Sequence, residues 1–154
     1  MAGGFVQALN AAGFDAVFKR EIPDLAVEFD DVEILKWARA HRRILWGFDK
    51  HRNGSATGQR MNDEISRHKG RLIQMSGGPE QSIPRAIGRL LVHQEHWEPF
   101  FADNHGKVRI MGGGATQIRM ETPGELPRLV AVGVRQGAAY LEQRERWHLR
   151  GRLR

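Results

Sequence analysis

Apolar and polar positions follow two different periods along this chain, and the period changes repeatedly between its first residues and Met111. Phe5, Val6, Leu9 and Ala12 recur at helical spacing and Gly13 follows them, which predicts a short helix and its stop. Ala16-Val17-Phe18 is too short for a helix and predicts a buried strand, followed by a charged turn through Lys19, Arg20, Glu21 and Pro23. From Asp30 the segment DDVEILKWARAHRR offers an acidic N-cap, apolar Val32, Ile34, Leu35, Trp37 and Ala38, and basic residues in its last turn, the clearest helix of the first half. It leads into Arg43-Ile44-Leu45-Trp46-Gly47-Phe48, an apolar run ended by Asp49-Lys50. That is the pattern of a central parallel strand with its polar residues at the carboxyl end.

The second half repeats the alternation. His51 to Gly58 is polar and glycine-bearing and predicts a surface loop, followed by a short helix from about Met61 to His68 and a strand over Arg71-Leu72-Ile73-Gln74-Met75, closed by a Gly77-Gly78-Pro79 turn. Ser82 to His93 places Ile83, Ala86, Ile87, Leu90 and Leu91 on one helical face, with Pro84 in the first turn. Trp97, Phe100 and Phe101 form an aromatic knot before an Asn104-His105-Gly106 turn, and Lys107 to Met111 alternates like an edge strand. Gly112-Gly113-Gly114 then separates residues 1–111 from a tail over 112–154. In that tail Leu126 to Trp147 predicts a long helix, interrupted at Gly133 and Gly137, and the chain ends in Arg144, Arg146, Arg150, Arg152 and Arg154. Helices alternating with short apolar strands imply an α/β layer fold with a parallel sheet, whose ligands gather outside the carboxyl ends of the strands.

Composition narrows the chemistry. The 154 residues suit one compact domain, and 24 Lys and Arg against 18 Asp and Glu give a net charge of +6, which favours an anionic partner such as nucleic acid. With no cysteine, a disulfide scaffold, a thiolate metal site and a cysteine nucleophile are excluded. The N-terminus lacks a cationic stretch followed by an apolar one, and no apolar run reaches membrane-spanning length, so the expectation is a cytoplasmic protein without a membrane partner.

Acidic residues mark the expected ligand end. Asp49 terminates one strand, while Asp30, Asp31 and Glu33 open the helix that leads into it, and hard divalent cations take such carboxylate oxygens together with water and phosphate. Asp31 equally suits a helix N-cap, and Asp49 a turn. The run DDVEILKWARAHRRILWGFDKHR, from Asp30 to Arg52, resembles the PIN-like domains of VapC-type toxins and related bacterial proteins, in which a D-x-E-[ILW] helix start precedes an apolar strand ending in aspartate. Phe5 to Arg20 is similar to the family's first helix and second strand, and Gly70 to Met111 to its later strand, helix and closing strand. The resemblance implies a three-layer α/β/α metal-dependent endoribonuclease using Mg²⁺ or Mn²⁺. Asp31 and Asp49 would be the metal ligands, Glu33 an accessory acid, and Lys50 would lie close to a substrate phosphate. It also implies RNA as substrate, an antitoxin protein as partner, and homodimerisation, which is common in the family.

The chain departs from the pattern at its start. The family opens with a strand carrying its first essential aspartate, whereas here no acidic residue precedes Asp15, which follows the first helix. The expectation is a true start upstream of Met1. The alternative is a catalytically inactive PIN-like module that binds RNA or a protein.

Other features carry weaker chemistry. His51, Arg52 and Asn53 follow Asp49 and are the favoured substrate contacts, within a stretch from Arg39 to Arg71 holding nine Lys and Arg against three acids. His93-Gln94-Glu95-His96 lacks the H-E-x-x-H arrangement for zinc and predicts polar residues stabilised by a helix C-terminus. The glycine clusters lack phosphate-loop spacing, and Trp37, Trp46, Trp97, Phe100 and Phe101 are spaced like core residues.

Overall fold

The computed structural model describes residues 2–48, 54–77, 83–111 and 116–132. Helix α1 (Ala2–Ala11) buries Phe5 and Leu9 and stops at Gly13, which adopts a positive φ of 91° while Phe14 N–H donates to Leu9 O at 3.1 Å. The expected strand at Ala16-Val17-Phe18 does not form. The Asn10 side chain takes both backbone groups of Ala16, accepting from its N–H at 2.7 Å and donating to its carbonyl at 3.0 Å, and two short 3₁₀ turns follow at Lys19–Glu21 and Pro23–Leu25.

Helix α2 (Asp31–Ala40) buries Val32, Ile34, Leu35 and Ala38, and strand β1 (Leu45–Phe48) follows it within five residues. Helix α3 (Ala56–His68), strand β2 (Arg71–Met75), helices α4 (Ile83–Val92) and α5 (Gln94–Asp103), and strands β3 (Gly106–Met111), β4 (Thr116–Glu121) and β5 (Arg128–Val132) complete the order. The aromatic knot is thus helical, with Pro99 inside α5 and the Trp97 indole N–H donating to Leu90 O at 2.9 Å.

The five strands lie in chain order, β1-β2-β3-β4-β5, the first three parallel and the last two antiparallel. Three expectations are corrected by this order. β1 is an edge strand of the described sheet and not a central one, because its apolar run reflects cover on its two faces: Leu45 joins a cluster with Val32, Leu35, Met61, Ile65 and Leu72, while Ile44, Trp46 and Phe48 join a larger one with Phe5, Ile73, Met75 and α4. β3 is central and not an edge. Its alternation records one buried face, where Val108 and Ile110 are fully inaccessible, and says nothing about hydrogen-bonded neighbours. The sheet does not end at Met111 either. Ile118 and Met120 on β4 extend the face begun by Val108 and Ile110, so residues 116–132 continue the same sheet, and β5 replaces the first part of the helix expected from Leu126. The remainder of that expected helix, the arginine-rich end and Gly112-Gly113-Gly114 lie outside the described residues.

Helices cover both faces of this α/β sheet. Successive residues of β2 point to opposite sides, so Leu72 meets α2 and α3 while Ile73 and Met75 meet α4. The connections β1-α3-β2 and β2-α4-α5-β3 step in one direction along the sheet yet pack on opposite faces, so they have opposite hands. Among the described residues no helix is long and apolar enough to cross a membrane.

Candidate functional site

A helix that leads into a strand through a short turn runs antiparallel to it, which carries the first turn of α2 to the carboxyl end of β1. Asp30 is the N-cap there. Its carboxylate accepts from Val32 N–H at 2.9 Å and from Arg60 of α3 at 2.8 Å, and these two bonds, the backbone one first, hold its pKa below the ordinary range. The cap role open to Asp31 from sequence therefore belongs to its neighbour. We expect Asp30→Ala to move the urea midpoint of unfolding to lower concentration through loss of the cap.

Asp31 is the first residue of α2 and half-buried, and Glu33 lies in the same turn. Two positions along a helix is about 200° of rotation, so these carboxylates share a helix end without sharing a face. Glu33 is engaged by Lys36, whose ammonium donates to Oε1 at 2.7 Å; that bond raises the Lys36 pKa. Asp49, Lys50, His51, Arg52 and Asn53 lie outside the described residues, beyond Phe48 at the end of β1. Among the described residues no three His, Asp or Glu side chains converge as a metal-binding group.

The basic stretch contributes largely to internal bracing. Arg39 pairs with the buried Glu64 at 3.0 Å, Arg43 with Asp15 at 2.8 Å, Arg60 with Asp30 at 2.8 Å and Arg67 with Asp63 at 3.8 Å. The Arg39 and Arg60 pairs tie α2 to α3, the Arg60 pair at the first turn of α2 and the Arg39 pair at its last. The exposed ones among these pairs contribute little individually to stability.

Arg89 gave no signal in sequence beyond its place beside the apolar face of α4. Its guanidinium donates to Ser76 O at 2.6 Å, Ser76 Oγ at 3.0 Å and Ile110 O at 3.0 Å, joining the carboxyl ends of β2 and β3. Burial, with Arg85 nearby, lowers its pKa. It places fixed positive charge at the edge where α2 places its carboxylates.

His93 follows the last residue of α4, as expected, but it is not stabilised there as a polar helix-end residue. It is 0% exposed, and among the described residues neither ring nitrogen has a hydrogen-bond partner. Desolvation first, then His96 and Arg89, push its pKa down to about 4, opposite to the effect of a helix C-terminus. Its ring centre lies 6.4 Å from that of His96.

Comparison with protein-family models, with curated proteins and with solved structures finds no match to this chain.

Proposed function

We propose that this chain is a metal-dependent endoribonuclease of the PIN-like type and the toxin of a toxin–antitoxin pair acting in the cytoplasm. One observation supports the reading above the others: α2 brings its first turn, with Asp31, to the carboxyl edge of the sheet, where β1 ends one residue before Asp49 in sequence. Asp31 and Asp49 would hold Mg²⁺ or Mn²⁺ through carboxylate oxygens, and the ion when bound supplies activation of water for phosphodiester cleavage. Lys50, His51, Arg52 and Asn53 follow directly and are the residues assigned to the RNA, with an antitoxin protein and a second copy of the chain as partners.

Glu33 favours a second reading, an inactive PIN-like module that binds RNA or a protein. Its carboxylate is already paired with Lys36 and turned from the face of Asp31, which reduces the acidic set to two residues.

Cleavage of a mixed pool of structured RNAs with Mn²⁺ decides between them. The enzyme reading expects products with the wild type, none in EDTA, and rates about tenfold or more lower for Asp31→Asn and Asp49→Asn at unchanged fold. A folded wild-type chain that binds RNA without cutting it would leave the second reading standing and end the first.

A further inference from the structure

Helices α4 and α5 are separated by one residue, His93, whose ψ of 5° departs from the helical value and turns the chain between them. Its carbonyl holds the first turn of α5, accepting from His96 N–H at 2.9 Å and from Trp97 N–H at 3.1 Å. The Trp97 indole closes the corner through its bond to Leu90 O. Downstream, Pro99 has no N–H to offer Glu95 O, so the turn from Gln94 to Glu98 is bounded by a break in the helical ladder on each side. The groups that act on the charge of the buried His93 ring are His96 of α5 and Arg89 of α4. Helix α1 carries no titratable side chain. The sheet turns Ile73, Met75, Val108 and Ile110 toward α4, and the charged side chains on that same face, Arg71 and Arg128, are cations. The acids of α5, Glu95, Glu98 and Asp103, are all exposed.

A proton on the closed ring thus meets a cation and a second histidine but no carboxylate, whereas on an opened ring it is hydrated by water. We infer that protonation of His93 releases the first turn of α5 from α4, so that this residue is an acid-sensitive latch between the two helices. Opening hydrates the ring and uncovers Trp97 and Leu90, which are 5% and 4% exposed in the closed form. The rest of α5 stays anchored, because Phe101 lies beyond Pro99 and belongs to the main core. The closed ring takes a proton only near pH 4 and an exposed one at 6.5, so falling pH favours the open form between those values. The latch is independent of the ribonuclease reading.

The test is amide hydrogen exchange of the full chain, followed by NMR between pH 6.5 and about 4 and corrected for the intrinsic exchange rate at each pH. The His96 and Trp97 amides are expected to lose protection about tenfold for each pH unit, ahead of the amides of β2 and β3. That loss should not respond to low concentrations of urea, because a local opening exposes little surface. His93→Leu is expected to abolish the pH dependence at both amides. An equal pH dependence in His93→Leu overturns the inference. So does exchange of the two amides only in step with those of β2 and β3, which assigns the proton to global unfolding. Should His93→Leu fail to fold, the ring signals of wild-type His93 decide. A ring that stays neutral until the two amides open supports the latch, and a ring that takes up its proton while they remain protected overturns it.

Discussion

Gly106→Ala is expected to lower the unfolding free energy by about 3 kcal/mol or more, read as a shift of the urea midpoint at constant slope. Gly106 opens β3 at a φ of 149°, which side-chain-bearing residues rarely adopt. A β-carbon there would overlap the carbonyl oxygen of Glu121 and come within 3.1 Å of the Phe100 ring. Neither neighbour can give easily. Glu121 belongs to the backbone of β4 in register with Lys107, and Gly106 is itself held on the other side, where its N–H donates to Gly70 O at 3.1 Å. The methyl group would therefore push β3 and β4 apart at the centre of the sheet. Gly3→Ala is the control, since a β-carbon at that helical position meets nothing within 4 Å and should stabilise by about 0.5 to 1 kcal/mol. A Gly106→Ala chain as stable as wild type would show that β4 does not pack on β3 as described.

His93→Leu is expected to raise stability at pH 7 by about 1 to 3 kcal/mol and to raise it further as the pH falls. The neutral ring keeps one donor and one acceptor buried without partners among the described residues, a desolvation cost that leucine does not carry. The pH term follows from linkage. Above pH 6.5 the ring is neutral both folded and unfolded, and no difference arises. Between 6.5 and about 4 the unfolded chain binds a proton that the folded chain does not, so folded stability falls with pH by about 1.4 kcal/mol per unit. The gap between variant and wild type should thus widen by about 3 kcal/mol from pH 7 to pH 4, and urea titrations at the two pH values measure it. His96 and Arg89, the neighbours that add to the depression, are present in both chains and do not cancel the difference. A gap independent of pH would mean that His93 is solvated and charges normally.

Much of the helical structure was legible in sequence. Val32, Leu35 and Ala38 repeat at helical spacing behind a capping aspartate, and α2 begins and ends within a residue or two of where that pattern places it. Arg71 to Met75 matches β2 residue for residue. The misread elements share a cause. Ala16-Val17-Phe18 has strand-like composition, but the Asn10 amide, six residues away, satisfies Ala16, and no window on the local run contains that bond. The sequence of β4 alternates as β3 does, yet Gly112 to Gly114 reads as a linker until Ile118 and Met120 are seen to finish the core face of Val108 and Ile110.

The candidate site divides similarly. Carboxylates at a helix start and the Glu33–Lys36 pair one turn apart depend on local spacing; the bond from Arg60 of α3 to the Asp30 cap does not. By itself, the sequence determined the alternation of helix and strand, the buried positions on each helix and the acidic opening of α2, because these depend on spacing within a few residues. Tertiary structure alone decided strand order, the edge position of β1 in the described sheet, the Arg89 clamp, the burial of His93 and the opposition of Arg109 to Arg119. Each of these joins segments distant in sequence, and no periodicity along the chain encodes which strands become neighbours.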